Sequence, residues 1–300
     1  MLHGIALRYF VEVARTGSLA AASANLHVAV SAISRQIAKL EQEAGTQLFE
    51  RMPRGMVLTG SGELLAQHAR RALLDGEAVL GEISAAHALG SGIVRIGCTE
   101  GFTRSFLPGT LAAYHALHPH TRFMLRAGTP SQVEHWVAIG EVDLGVAFST
   151  ASSTAVRVEY SVGAPVCALI GASHPLADKD VLTLDDLLAH PIALLERGTT
   201  VRQLIDWCCS VHGKSFEPLL TSNNSSALHA FASLTGAITL GSRLALRGMG
   251  GDLSLIAKTI DEPLLNQRRL QVTAMNERRL PASVERFLTA LKTALESALG

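Results

Sequence analysis

Several hallmarks of exported, membrane and metal-stabilised proteins are missing from this chain of 300 residues. It has no apolar run of about 18 residues, the length that a transmembrane helix needs. Its N-terminus lacks the long apolar core and small-residue cleavage site of a secretory signal. The four cysteines, Cys98, Cys167, Cys208 and Cys209, show neither C-x-x-C spacing nor paired histidines, which argues against a zinc site and a disulfide framework. We therefore expect reduced, buried thiols in a cytoplasmic protein, with a redox role for Cys208-Cys209 left open.

Charge of one sign is not in excess either. The chain has 26 Lys and Arg against 26 Asp and Glu, and 17% of its residues are charged. This balance excludes a wholly basic nucleic-acid coat and an acidic disordered chain. The charges are nevertheless segregated: residues 1–60 carry six basic and four acidic side chains, whereas residues 61–90 carry two basic and four acidic ones. We divide the chain into a small positive head, a helical neck and a neutral body.

The head is predicted to form three short helices. Apolar residues recur at helical spacing from Leu7 to Ala14, Thr16-Gly17 ends that helix, and Ser18 is a suitable N-cap for the next. A third helix is expected from about Val30, with apolar side chains turned inward. Its polar outer face consists of Ser31, Ser34, Arg35, Gln36 and Lys39.

Two short helices joined by a brief turn are typical of a helix-turn-helix, whose second helix enters the major groove. There arginine can pair with guanine and glutamine with adenine. The basic turn that follows predicts a β-wing whose Arg51 and Arg54 contact phosphates. A merely solvated amphipathic helix is the alternative for the third helix alone, and the wing favours DNA binding.

The neck is predicted to be one long helix. Residues 61–90 contain no proline, and apolar residues such as Leu65, Ala69, Leu73 and Leu80 recur helically. A helix of this length, roughly 45 Å, is too long for one small domain to bury. A partner helix would cover it, so we interpret it as a dimerisation arm; packing on its own body is the alternative.

The body alternates strand-length apolar runs with helical stretches, which indicates parallel α/β sheets. Its length suits two lobes. The stretches Ser149–Ala155 and Ile260–Gln267 interrupt the pattern and are the predicted crossings between the lobes. Lobe I is accordingly expected at about 91–150 and 267–300, and lobe II at about 156–259.

Small polar residues follow four of the predicted strands, two in each lobe. In α/β sheets ligands bind at the carboxyl ends of strands, against helix N-termini. The candidate effector-binding residues are Thr99, Glu100, Thr103, Thr129, Thr199, Thr200, Asn223 and Asn224. Hydroxyls and amides suit a small organic anion or an amino-acid-like molecule, although the same residue types also cap helices. For Glu100 three partners stay open: an amino group of the effector, Arg104 or Arg202.

Motifs of catalysis are missing: the sequence contains no G-x-S-x-G, no P-loop and no H-E-x-x-H. His115, His118 and His120 close a helix beside a proline, which favours a solvated loop over a metal site. We therefore expect no enzyme activity, no cofactor and no metal. A solute-binding protein with N-terminal dimerisation helices and a cytoplasmic α/β enzyme are the rival classes; the first lacks an export signal and the second a catalytic set.

A series of motifs runs through the chain. In order, they are Leu7–Phe10, Ser18–Ala22, Ser34-Arg35-Gln36, Leu40-Glu41, Leu48–Arg51, Leu58-Thr59 with Gly62, Val94–Gly97, Phe106–Pro108, Gly140–Gly145 and His174–Ala177. This series resembles the LysR-type transcriptional regulators over nearly the whole chain.

The resemblance implies an α+β multidomain protein. A winged helix-turn-helix occupies residues 1–60, a linker helix forming an antiparallel coiled coil with a second subunit occupies 61–90, and a two-lobed α/β effector domain like periplasmic binding proteins occupies 91–300. It implies a sequence-specific regulator whose binding to double-stranded promoter DNA changes with a small-molecule effector held between the lobes. The expected assembly is a homodimer that forms a homotetramer, away from any membrane.

The start of the third helix departs from the family pattern. The family often has Ser-Gln-Pro or Ser-Gln-Ser there, and this chain has Ala29-Val30-Ser31. A hydroxyl cap and a base-contacting glutamine are therefore replaced. Either Ser31 caps the helix instead or Val30 contacts a thymine methyl group, and the operator preference stays open.

Overall fold

A computed structural model describes residues 4–53, 55–87, 92–104, 106–151, 153–246 and 255–299. The chain divides into two compact units. Residues 1–88 and 278–281 form the first, and residues 89–277 and 282–300 form the second. No helix within the described ranges is at once long and apolar enough to cross a bilayer.

The first unit begins with three helices, as predicted. They are α1 (Ile5–Thr16), α2 (Leu19–Leu26) and α3 (Val30–Ala44). Gly17 ends α1 with a left-handed φ of 64°, a conformation that glycine adopts without steric cost. The Ser18 side chain accepts a hydrogen bond from the Ala21 N–H at 3.3 Å, so its predicted role as the N-cap of α2 is confirmed.

A hairpin follows the three helices and forms the wing. Its strands are β1 (Phe49–Met52) and β2 (Gly55–Leu58), paired antiparallel. The Glu41 carboxylate of α3 accepts hydrogen bonds from the N–H groups of Leu48 (2.9 Å) and Phe49 (3.3 Å). The Met56 N–H donates to the Gly17 carbonyl at 2.8 Å. These bonds fix the wing against α3 on one side and against the end of α1 on the other.

The long helix α4 (Gly60–His87) has 28 residues and a length of roughly 42 Å. Ala66 and Ala69 of its first turns are buried in the core of the winged module, together with Phe10 and Ile33. At Gly62 the helix passes so close to the Leu48 carbonyl oxygen that no Cβ atom fits between them. The base of α4 is therefore part of the same packed module as the helix-turn-helix.

The second unit contains two lobes, each built on a mixed sheet. Lobe I consists of β3 (Gly92–Thr99), α5 (Phe106–Leu117), β4 (Thr121–Gly128), α6 (Pro130–Ala138), β5 (Leu144–Ser149), β6 (Val156–Gly163), β13 (Arg269–Met275) and α11 (Ala282–Leu299). Its strand order is β4-β3-β5-β13-β6. The strand β3 runs parallel to β4 and β5, whereas β13 runs antiparallel to β5 and β6.

Lobe II is formed by the intervening residues. It consists of β7 (Cys167–Gly171), β8 (Val181–Leu182), α7 (Leu184–Leu188), β9 (Ile192–Leu195), α8 (Thr200–Val211), β10 (Leu220–Ser222), α9 (Ser225–Thr235), β11 (Ile238–Gly241), β12 (Leu255–Ile260) and α10 (Pro263–Asn266). Its strand order is β10-β9-β11-β7-β12-β8. The core between sheet and helices is aliphatic and includes Ile170, Leu194 and Ile205.

The predicted first crossing at Ser149–Ala155, and with it the start of lobe II at about residue 156, is wrong. The strand β6 pairs along its whole length with β13, from Val156 opposite Met275 to Gly163 opposite Arg269. It is therefore the edge strand of lobe I, and the chain enters lobe II only at Ala164-Pro165.

The sheets are mixed rather than purely parallel, because β7 and β13 run antiparallel to their neighbours. The predicted α+β fold class, a winged helix-turn-helix, a long helix and a two-lobed α/β body, is confirmed.

Candidate functional site

The exposed face of α3 is the first candidate site. Ser31, Arg35 and Lys39 follow one another at intervals of four residues and are all exposed, so they share one side of the helix. Ser34 and Gln36 flank this row and are half-buried. We call these five residues the recognition face. Lys39 lies 3.8 Å from the Glu43 carboxylate, and because both side chains are exposed, this pair is too weak to hold Lys39 away from DNA.

The wing lies beside the recognition face. Arg51 of β1 is exposed. Together with Ser34 it borders a hollow of about 270 Å³ between α3 and the wing. The structure therefore brings these two predicted DNA-binding residues close to each other. Arg54, the other predicted wing contact, lies outside the described residues.

The start of α3 shows which residue occupies the N-cap position. Ala29 is the N-cap residue and makes no side-chain hydrogen bond. Ser31 lies within the first turn, so the expectation that it caps the helix is wrong. Val30, the first residue of the helix, is exposed.

The second candidate site is a cavity of about 400 Å³ between the two lobes, which we call the interlobe cleft. The strands β3, β4, β9 and β11 end at it. Six of the eight predicted effector-binding residues line it: Thr99, Glu100, Thr129, Thr199, Thr200 and Asn223. Ligands of α/β sheets bind at such strand ends.

The other two predicted effector-binding residues have local structural roles instead. The Thr103 hydroxyl donates a hydrogen bond to the Glu100 carbonyl at 2.7 Å. The Asn224 side chain accepts one from the Ala227 N–H at 3.0 Å and caps α9. Neither residue lines the cleft, so the structure does not bring them together with the other six.

Four threonine hydroxyl groups of the cleft lining differ in the hydrogen bonds that they already make within the protein. Thr199 donates to the Glu196 carbonyl at 3.0 Å and caps α8. Thr200 donates to the Phe148 carbonyl at 3.0 Å, which joins α8 of lobe II to β5 of lobe I. Thr129 caps α6 as an acceptor. The Thr99 hydroxyl oxygen is buried without a hydrogen-bond partner, so of these four it has the most bonding capacity left for a ligand.

Glu100 connects the two lobes. Its carboxylate accepts a hydrogen bond from the Ser225 N–H at 2.9 Å, at the N-terminus of α9. A carboxylate is stabilised there by the helix dipole. Arg202, one of the predicted partners of Glu100, instead donates from Nε to both carboxylate oxygens of Asp206, at 2.8 and 2.9 Å.

Several lining residues were missed by the sequence analysis, and Arg268 is the most informative. It is 1% exposed. Its guanidinium donates to the carbonyls of Ala164 (2.7 Å), Pro165 (3.0 Å) and Gly241 (2.9 Å). It also lies 4.3 Å from the centre of the Phe148 ring. Its place beside a predicted crossing was the one signal in the sequence that could have drawn attention to it.

His229 of α9 is the second titratable residue that was missed. It lines the cleft, is 3% exposed, and its Nδ1 atom has no hydrogen-bond partner. Burial, and then the nearby charge of Arg104, lowers the pKa of His229 to about 4. The imidazole is therefore neutral at pH 7, and its free nitrogen can bond a neutral or charged ligand group.

The cysteines lack the features of reactive thiols. All four are free and buried. Burial raises the pKa of Cys98 and of Cys208 to about 12, and it also raises the pKa of Cys209. Because the thiolate is the reactive form, this chemistry argues against a redox role for Cys208-Cys209. Within the described ranges, no group of three or more His, Cys, Asp or Glu side chains is placed to hold a metal ion.

Two family descriptions match this sequence. "Bacterial regulatory helix-turn-helix protein, lysR family" matches residues 5–63, and "LysR substrate binding domain" matches residues 87–296. The chain belongs to the LysR family of transcriptional regulators. The resemblance inferred from the motifs is therefore confirmed.

Individual relatives of this LysR-type regulator include the transcriptional dual regulator GltC of Bacillus subtilis (strain 168). The two are 31% identical over 222 residues, which is 72% of this chain and 72% of GltC. Among solved structures, a full-length OxyR variant from Pseudomonas aeruginosa has a TM-score of 0.69 at 18% identity, over 97% of this chain and 93% of that one. Full-length CbnR in complex with its target DNA has a TM-score of 0.55 at 20% identity, over 96% and 98%. At these identities the two structures show a shared fold.

The members of this family are transcriptional regulators, so the expectation that the chain is not an enzyme is confirmed. This LysR-type regulator combines a DNA-binding module with an effector-binding domain.

Proposed function

We propose that this LysR-type regulator binds promoter DNA through the recognition face and the wing, and that a small organic acid or amino-acid-like effector in the interlobe cleft changes this binding. The exposed row of Ser31, Arg35 and Lys39 beside Arg51 carries the DNA-binding part. An outward row of this kind supplies donors that reach both base edges and phosphates. The six predicted residues that line the cleft support the effector part.

The same proposal assigns a role to each part of the chain. Residues 1–60 bind DNA, residues 61–90 pair two subunits, and residues 91–300 bind the effector. A regulator of this kind acts where the chromosome is, so we propose a cytoplasmic location.

Pairing through α4 is supported by apolar side chains that its own unit leaves uncovered. Leu64, Val79, Leu80 and Ile83 are between 46% and 72% exposed. Val79, Leu80 and Ile83 cluster in the second half of the helix, where the spacings of three and four residues place them on one side. A second copy of α4 would bury them, which supports a homodimer as the unit from which a homotetramer is built.

Effector control requires that the ligand prefer one arrangement of the two lobes over another. Two hydrogen bonds join the lobes across the cleft, from Thr200 to the Phe148 carbonyl and from the Ser225 N–H to Glu100. A ligand held by both lobes adds contacts that exist only at one separation of the lobes. Its binding energy therefore shifts the equilibrium between lobe arrangements.

Replacing Arg35 tests the DNA-binding part. We expect Arg35→Ala to weaken binding to the preferred operator by about 1–3 kcal/mol and to relax the preference at one base position, because a bidentate contact with a base is lost. The full chain selects its operator from a random duplex library. Fluorescence anisotropy then compares that duplex with a scrambled one.

Arg8→Ala is the matched control, since it removes the same charge from an exposed position on α1 that is not part of the recognition face. It should weaken binding to both duplexes slightly and equally. Equal losses with Arg35→Ala on the two duplexes would contradict base recognition by Arg35. A failure of the wild-type chain to select any sequence would contradict the proposed function itself.

A further inference from the structure

The guanidinium of Arg268 places a buried positive charge at the wall of the interlobe cleft. The residue is 1% exposed and lines the cavity. Burial lowers the pKa of Arg268 to about 10, so the group stays protonated at neutral pH. Among the described residues, no carboxylate forms an ion pair with Arg268, and the Cys167 thiol is the one titratable neighbour that raises its pKa. A buried charge without a counter-ion is costly, and an anion bound in the cleft would remove that cost.

The position of this charge is fixed by the two chain crossings between the lobes. Arg268 precedes β13, where the chain returns to lobe I. Two of its hydrogen bonds go to Ala164 and Pro165, where the chain first leaves lobe I, and a third goes to Gly241 of lobe II. Three carbonyl acceptors hold the guanidinium in one orientation. A ligand anion therefore meets a preorganised partner and loses little free energy in ordering it.

The acidic residues of the cleft do not supply the missing counter-ion. The Glu100 carboxylate is held at the N-terminus of α9 by the Ser225 N–H, where the helix dipole offsets its charge. The remaining charged residues of the lining, Glu196 and Arg197, are exposed to solvent, which screens them. Two buried polar atoms of the lining also lack partners, the Thr99 hydroxyl oxygen and His229 Nδ1. They are additional positions for hydrogen bonds to a bound ligand.

The rest of the cleft is suited to an apolar molecule. Phe148 contacts the Arg268 guanidinium on one side and stacks on Phe102, with 4.7 Å between the ring centres. Leu195, Leu240 and Leu244 also line the cavity. A volume of about 400 Å³ lies within the range of sites for small organic ligands. An inorganic anion would leave these apolar side chains uncovered.

We propose that the effector of the interlobe cleft is a monocarboxylate with an apolar body, whose carboxylate pairs with Arg268 while its body packs on Phe102 and Phe148. This inference rests on the proposed function, since it names the chemical class of the ligand at the same site.

Three acids and their amides test the charge requirement on the unmodified full chain. The probes are benzoate, 3-phenylpropanoate and hexanoate, each compared with the amide of the same carbon skeleton. We expect at least one acid to raise the melting temperature, and calorimetric titration to show it binding about tenfold or more tighter than its amide, because the amide lacks the negative charge that strengthens a hydrogen bond with Arg268. Amides that bind as well as their acids, or three acids that all fail to bind, would overturn the inference.

Substitution of Arg268 then tests whether this residue is the partner of the ligand carboxylate. Arg268→Met should reduce the affinity for the acid to that of the amide and leave the amide unchanged. Arg269→Met is the matched control: Arg269 is the next residue, is exposed, and bonds Ser161 outside the cleft lining, so both affinities should stay as in the wild type. An acid preference that survives in a folded Arg268→Met variant contradicts the assignment.

Circular dichroism shows whether Arg268→Met folds. If it does not, Arg268→Lys, which retains the positive charge, must retain part of the preference for acids, and losing it entirely counts against the inference. The anisotropy assay on operator DNA separates this inference from the proposed function. An amide that binds and alters DNA affinity would overturn the carboxylate requirement alone. An acid that binds without altering DNA affinity would overturn the effector role and leave the ligand class standing.

Discussion

Residues of the interlobe cleft differ in whether their polar atoms already have partners, and this difference decides their roles. Thr199 uses its hydroxyl for the turn that begins α8, so it is committed to the fold. Thr99 and His229 keep buried polar atoms without partners. Such atoms are costly in a folded protein, which makes them the positions where a ligand brings the largest gain.

The buried imidazole of His229 makes stability depend on pH. Its pKa is lowered to about 4 in the folded chain from about 6.5 in the unfolded chain. Between these values the unfolded chain binds a proton that the folded chain does not, so stability falls as the pH drops through this window. We expect a loss of about 2 kcal/mol between pH 7 and pH 5 from this residue.

Urea unfolding of wild type and His229→Gln at the two pH values measures this loss. The variant should lose less stability than the wild type on acidification. His120→Gln is the control, because it makes the same substitution at an exposed position. Identical pH dependence of wild type and His229→Gln would contradict a neutral, buried His229.

Residue types predicted six residues of the cleft lining, and the limits of such prediction are equally physical. Hydroxyl and amide residues after strands were found because strand ends and helix starts are local features. The same chemistry forms turns and caps helices, which is why the predicted set also contained Thr103 and Asn224, whose side chains bond locally outside the lining. Arg268 was missed because its role depends on Ala164, 104 residues away along the chain.

At the scale of elements, the winged module depends on the close approach of α4 to the turn before the wing. A Cβ atom at Gly62 would collide with the Leu48 carbonyl oxygen, whereas one at Gly60 would meet nothing within 4 Å. The two glycines lie in the same turn of α4. They therefore form a matched pair for testing this packing.

We expect Gly62→Ala to destabilise the winged module by about 1–3 kcal/mol, because backbone must move to admit the methyl group. Gly60→Ala should be neutral or slightly stabilising, since alanine favours helix. Both variants are heated as full chains, and the temperature at which each loses operator binding reports the stability of its winged module. A Gly62→Ala chain as stable as Gly60→Ala would contradict the close approach.

The helices of the head could be predicted from the sequence, whereas the pairing of strand β6 could not. Helical periodicity from Leu7 to Ala14 and the cap at Ser18 are properties of neighbouring residues, so the helices of the head were predicted. The partner of a strand is not a local property. Residues 156–163 were therefore included in lobe II, although β13, more than 100 residues later, holds them in lobe I as strand β6.

At the scale of the whole molecule, the chain joins a module that reads DNA to a domain that binds a ligand. A single helix-turn-helix contacts few base pairs, and two-fold pairing doubles the contacts while requiring an inverted repeat in the operator. The apolar side chains left exposed on α4 are consistent with such pairing. Sequence specificity of the paired module is the claim on which the regulatory proposal depends.

Enrichment of genomic fragments by the purified full chain tests this claim most directly. Fragments of the source genome are incubated with the chain at low ionic strength, and the bound DNA is sequenced. The account predicts a small set of enriched fragments that share an inverted repeat, with half-sites about 10 base pairs or a multiple of that apart. Bound DNA with the composition of the whole genome, or no bound DNA at all, would contradict it.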